Sequence, residues 1–331
     1  MLCAVILALL LSGGNGHERS GSRYGFYRQM GGGTGGVAGA GGTRRVFGGA
    51  AADLGEFPAA CVLLDRYWAA RCSGAVVSPR WALTAAHCVS PRVAYVKYNA
   101  RRPAAPDGDV APVLYLYRHP GYRVVQEDEG RGMDVTVLHH DVGLVRTRHD
   151  MKLNAAPPRD PLVVMREYNP VDLHDKEVQV FGFGRTEGSA LGEELFAVKL
   201  RLVPCERGSW FHCVCGVSRS AGSGAAAGVC SGDSGGPVVW RGAQVGVTSM
   251  GPLECAVRAA PAPSAASVFT ALYSYAALVN ATIHDTDAEL QMRMISLARA
   301  LCPHKAFLLL QLVVAVGLRS YDLPSGVCLI L

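Results

Sequence analysis

The run "CSGDSGGPVV", residues 230–239, sets Ser234 among glycines, behind a cysteine and beside Asp233. Glycine serves where the backbone must take positive φ or approach another group closely. A hydroxyl on such a turn is a candidate nucleophile, provided a base removes its proton. Imidazole does this near neutral pH, and a buried carboxylate fixes its tautomer and steadies the charge it gains. "WALTAAHCVS" offers His87 after an apolar run, and "HHDVGLVRT" offers Asp141 at the opening of another. Singly, such a histidine packs and such an aspartate belongs to a turn. Together with Ser234 they supply base, orienting acid and nucleophile, the set that acyl transfer to serine requires.

Short apolar runs must position these residues. "CVLL", "GAVV", "VLYLY", "VGLV", "VQVF" and "VGVTS" recur between Val46 and about Ile283, separated by Gly, Pro and Asp turns. That rhythm predicts an all-β sandwich or barrel pair. "SYAALVNATI" predicts a short helix. The 331 residues suffice for one large or two small domains with a proper core. Hydrophobic residues make up 50% and charged residues 18%, which suits a globular chain. The charge of +5 is scattered without a Lys/Arg run, so nucleic-acid binding is not expected.

The flanks differ in character. "MLCAVILALLLSGGNG", residues 1–16, reads as a secretory signal peptide that lacks a positive start, and eleven cysteines suit an oxidising compartment. A Gly-rich spacer follows through "GGGTGGVAGAGG". From Asp285 to Leu331, "AELQMRMISLARAL" has helical spacing and "AFLLLQLVVAVGL" is apolar for about 13 residues. That is short of the roughly 20 that cross a bilayer, so a membrane-associated tail, a lipid-anchor signal and an extension of no defined structure all stay open. Asn280, Ala281 and Thr282 form a glycosylation sequon.

"LTAAHC", "DVGLV" and "GDSGGPVV", in that order, resemble the three signature segments of the chymotrypsin-like (trypsin-fold) serine proteases. "GEFPAACVLL", "HPGY", "FGFGRT", "TSMG" and "VFTALYSY" are similar to that family's intervening landmarks. The resemblance covers about Val46 to Ile283. It implies two packed antiparallel six-stranded β-barrels with a short C-terminal helix, and the catalytic groups in the cleft between them. It also implies a cofactor-free serine endopeptidase with His87, Asp141 and Ser234 as its triad. The Gly232 and Ser234 N–H groups would bind the developing oxyanion. "TRRVFGGAA" resembles an activation site: cleavage after Arg45 would free the Val46 ammonium to pair with Asp233. The expected organisation is signal peptide 1–16, propeptide 17–45, protease domain 46–284 and extension 285–331.

By the same resemblance, Cys72 pairs with Cys88, Cys230 with Cys255, and Cys205 with Cys213 or Cys215. A further family bridge, between the positions of Val178 and Trp240, has lost both half-cystines. Cys61 is expected as a buried thiol. "HCVC" has zinc-ligand residue types, but a disulfide region is the expectation there and no metal is expected.

The resemblance puts Gly228 at the floor of the primary specificity pocket, Gly251 and Ser267 on its walls, and Ser249 on the substrate-pairing strand with its hydroxyl near Asp141. Without an acid at Gly228, Arg or Lys is disfavoured, since an unpaired buried cation is costly. Large apolar residues are the first expectation, with Gly251 leaving the entrance open. Small ones, as in elastases, are the second. Such an enzyme would not cleave its own Arg45 site, so an upstream trypsin-like activator is implied, along with protein substrates and protein inhibitors. Ser73 stands where the family usually has glycine, and Met250 where it usually has tryptophan. About ten extra residues around "QEDEGRGMD" read as a surface loop. The rival reading is a non-catalytic homologue that acts as a binding module in a proteolytic cascade.

Overall fold

The structure, a computed structural model, describes residues 49–128, 133–154, 161–185, 193–218, 227–252 and 265–295. After a two-residue strand, β1 (Ala50–Ala51), come β2 (Ala60–Asp65), β3 (Ala70–Ser78), β4 (Trp81–Thr84), β5 (Val93–Tyr98) and β6 (Asp109–Arg118). A hairpin of β7 (Arg123–Asp128) and β8 (Met133–His139) then leads to β9 (Gly143–Thr147). Strand β2 pairs with β3 and β5, β3 with β4, β4 with β9, β5 with β6 and β6 with β9, all antiparallel. Six strands thus close on themselves. Closure bends them, and register shifts at Leu63/Leu64, Val76/Ser78 and Val113/Tyr115 take up the bend. The buried side chains of Leu63, Leu83, Leu116 and Leu144 fill the interior.

The second barrel repeats the plan with β10 (Glu177–Gly182), β11 (Phe196–Val203), β13 (Cys213–Val217), β14 (Pro237–Trp240), β15 (Ala243–Met250) and β16 (Ser267–Ala271), while the short β12 (Trp210–Phe211) stays outside it. Its ring runs β11–β10–β14–β15–β16–β13 and closes through β13–β11. Strand β11 shows why it forms: Phe196, Val198, Leu200 and Leu202 are buried, while Lys199 and Arg201 between them are exposed. Strand β1 adds to the edge of β11.

Two expectations change here. The insertion around "QEDEGRGMD" is not a plain loop but the β7–β8 hairpin, with 129–132 outside the described residues. Strand β12 pairs with β8 in parallel, Trp210 opposite Leu138 and Phe211 opposite His139. The helix expected in "SYAALVNATI" is α1 (Ala276–His284), which stops at Asp285 in the left-handed region, φ 56°. The helical spacing read in "AELQMRMISLARAL" does not hold through Ile295. Instead Arg293–Ile295 form β17, antiparallel to β6, with Met294 opposite Tyr117. Alternation explains it: Met292 is 3% exposed and packs into the first barrel, whereas Met294 is 51% exposed. The Met292 N–H donates to Thr282 Oγ1 at 3.0 Å, fastening this strap to α1.

No helix among the described residues is long and apolar enough to cross a membrane. Residues 1–48, with the leader, Arg45 and Val46, and the tail from 296 onward lie outside the described residues.

Candidate active site

Strand β4 ends at Thr84, and a 3-10 turn, Ala86–Cys88, carries His87. The Cys72–Cys88 disulfide ties that turn to β3, as expected. Asp141 precedes β9 and is 1% exposed. Its Oδ1 accepts the His87 backbone N–H at 2.9 Å and its Oδ2 lies 2.8 Å from Nδ1. An ionised carboxylate only accepts, so Nδ1 carries the proton and Nε2 keeps its lone pair. Burial pulls the His87 pKa down, but the charge of Asp141 and its hydrogen bond outweigh that and leave it raised.

The Ser234 turn is pressed against the end of β4. The Ser73 N–H donates to the Ser234 carbonyl at 2.9 Å. Gly235 has φ 81°, and a Cβ on it would stand 2.0 Å from Thr84 Oγ1. Only glycine fits there. Gly232 also has positive φ, 100°. Among the described residues neither the Gly232 nor the Ser234 N–H donates a hydrogen bond, and Ser234 Oγ makes none to His87. Catalytic hydrogen bonds often form only once substrate is bound.

Asp233 is 2% exposed and accepts the N–H groups of Gly184 at 2.9 Å and Cys230 at 2.8 Å. Burial pushes its carboxyl up to about 6, against the pull of those two bonds. A Cβ on Gly184 would sit 2.4 Å from the carboxyl carbon, so the cradle admits no side chain.

The residues expected to line a specificity pocket come together, with one correction. Gly228 faces Ser267, whose hydroxyl accepts the Val229 N–H at 3.1 Å. A Cβ on Gly251 would stand 2.0 Å from the Val229 carbonyl, so this position admits no side chain. The Ser249 hydroxyl is paired with Thr270 Oγ1 at 2.8 Å instead of with Asp141.

Cys205 pairs with Cys215, S–S 2.04 Å, which settles the open choice. Cys213 is a free thiol that burial, helped by the charge of Asp141, pushes up to about 12. Cys61 is free and buried, as read from the sequence. Cys230 is disulfide-bonded, while Cys255 lies outside the described residues. The Asn280 side chain accepts a hydrogen bond from Arg166.

Two features escaped the sequence. His140, the residue before Asp141, has its Nδ1 2.9 Å from Tyr275 Oη, and the His119 ring stacks on it with centroids 4.2 Å apart. The "HPGY" and "HHD" segments held both histidines, but nothing in their spacing joined them. The second feature is the set of partners of the Ser73 hydroxyl, Gly232 O and the Phe183 N–H, although Ser73 itself stood out in the sequence.

The family model described as Trypsin matches residues 46–279. Kallikrein 1-related peptidase b24 of Mus musculus is 27% identical over 239 residues, covering 67% of this chain and 84% of its own. Kallikrein-8 of Homo sapiens is 28% identical over 197 residues, 56% of this chain and 68% of its own. Among solved structures, neuropsin, a serine protease of mouse brain, superposes with a TM-score of 0.57 at 22% identity, covering 71% of this chain and 98% of that one. At that identity the superposition speaks for the fold alone. The family match runs through both barrels and all three signature segments, so the chain belongs to the trypsin family of serine proteases.

Proposed function

We propose that the chain is the secreted zymogen of a serine endopeptidase that cleaves peptide bonds through an acyl-enzyme on Ser234. His87 Nε2 takes the Ser234 proton as Oγ attacks the carbonyl carbon. The Gly232 and Ser234 N–H groups receive the negative oxygen, each contributing about 3 kcal/mol of barrier lowering. Collapse expels the amine, protonated by His87, and water then hydrolyses the ester along the reverse path. Asp141 steadies the imidazolium throughout. The carrying observation is the 2.8 Å contact between Asp141 Oδ2 and His87 Nδ1.

Activation by a trypsin-like protease after Arg45 would give Asp233 a cationic partner in the Val46 ammonium. A buried carboxyl held up near 6 is a group that gains by such pairing. An apolar residue before the scissile bond suits a pocket with Gly228 at its floor. Large residues are the first reading and small ones the second.

The test is to treat the purified full chain with trypsin, block the trypsin, and add a fluorophosphonate probe beside a Ser234→Ala control. Labelling only after cleavage at Arg45, and none in the control, is expected. Clean cleavage without labelling would favour a non-catalytic binding module.

A further inference from the structure

Gly232 has positive φ, 100°, yet the reaction needs its N–H aimed at one point. Two consecutive peptide planes meet at this residue. The plane that carries the Gly232 N–H has as its carbonyl Ser231 O, which accepts the Arg185 N–H at 2.9 Å. The next plane is held by a side chain: Ser73 Oγ donates to Gly232 O at 2.7 Å. Ser73 is fully buried, 0% exposed, and its hydroxyl oxygen also accepts the Phe183 N–H at 2.9 Å. The segment from Phe183 to Arg185 and the hydroxyl of Ser73 therefore clamp the turn from one side.

We propose that Ser73 is a positioning residue for the oxyanion site: its hydroxyl fixes the Gly232 carbonyl, and with it the angle between the plane that carries the Gly232 N–H and the chain leading on to the Ser234 N–H, so that the two donors converge. This rests on the protease reading above. The physical basis is that a glycine at φ 100° has several backbone states of similar energy, and a donor a few tenths of an ångström off line loses much of its worth. Ser73 never touches substrate. Its effect belongs to the transition state, where the oxygen carries charge, and not to substrate binding.

The experiment compares trypsin-activated full-length chain with Ser73→Ala and Ser73→Gly on one peptide anilide. It also measures inhibition by a peptide aldehyde, whose adduct places an oxyanion in the same site. Melting temperatures are read in parallel. Expected is a fall in kcat of about tenfold in both variants, a fraction of the 10²–10³ lost with a whole donor, with KM changed less than about threefold. The aldehyde should weaken by the same factor as kcat. Folded variants that keep kcat within about twofold would overturn the proposal while the protease reading stands. Loss of the fold in both variants would also overturn it, in favour of a purely structural hydroxyl. A parent chain with no turnover would sink the protease reading and this inference with it.

Discussion

Tyr275 Oη sits 2.9 Å from Nδ1 of His140, the residue immediately before Asp141. His140 holds φ 53°, a left-handed conformation that costs a non-glycine residue about 1 kcal/mol. The strain is placed where the chain must turn to present the Asp141 carboxylate. Tyr275 follows β16 and enters α1, so the end of the protease region braces an acid that precedes β9.

Tyr275→Phe keeps the ring and deletes the hydroxyl. We expect a loss of about 1 kcal/mol in stability and a fall of a few-fold in kcat as Asp141 loosens, with KM unchanged. Thermal unfolding and steady-state kinetics check both, and an unchanged kcat would confine Tyr275 to packing.

The pH–rate profile follows from His87. Burial alone would lower its pKa below the ordinary 6.5, but the charge and hydrogen bond of Asp141 raise it. The imidazole works as a base when neutral, so kcat/KM should climb through a value above 6.5. Asp141→Asn removes both raising causes. The acid limb should move to lower pH, while kcat drops about 10⁴-fold. For stability the sign runs the other way: the His87–Asp141 contribution is present below the ordinary value and lost as pH rises through the raised one.

Asp233 gives the uncut chain a different pH signature. Its folded pKa, about 6, stands above the ordinary 3.8. A raised acid stabilises the fold below the ordinary value, and that contribution is lost as pH rises through the folded one. The loss is about 3 kcal/mol. Uncut Ser234→Ala chain should therefore lose stability between pH 3.8 and about 6 relative to its Asp233→Asn counterpart. Cleavage after Arg45 should erase that difference, as urea unfolding before and after trypsin would show.

Met292→Ala should cost about 3 kcal/mol, because the side chain is 3% exposed within the first barrel. Met294→Ala, at a position 51% exposed, should stay within about 0.5 kcal/mol. Equal losses in urea unfolding would contradict the strand assignment.

The His87–Asp141 pair and the turn at Ser234 were the most legible part of the sequence, because each of these residues lies in a run whose glycines, cysteines or apolar neighbours restrict the backbone. What depends on strand register was not legible. Cys213 and Cys215 lie on the same strand, and only the pairing of Cys215 with Val203, two residues before Cys205, decides between them. The Met292–Ile295 stretch misled because Leu290, Met294, Leu297 and Leu301 are spaced as on a helical stripe, whereas the edge of β6 takes Arg293–Ile295 as a strand. Ser73 was visible as a departure from the usual glycine, but its two hydrogen-bond partners come from distant segments that meet only in the fold.

Strand β17 also orders events during synthesis. The edge of β6 that it covers is translated early, whereas Arg293–Ile295 emerge only after every strand of the second barrel. Until then the nascent first barrel carries an open strand edge and a vacant seat for Met292. Such edges recruit other chains. A transcript ending at α1 would leave that seat empty permanently, so aggregation of truncated product, more than loss of catalysis, would be its first symptom.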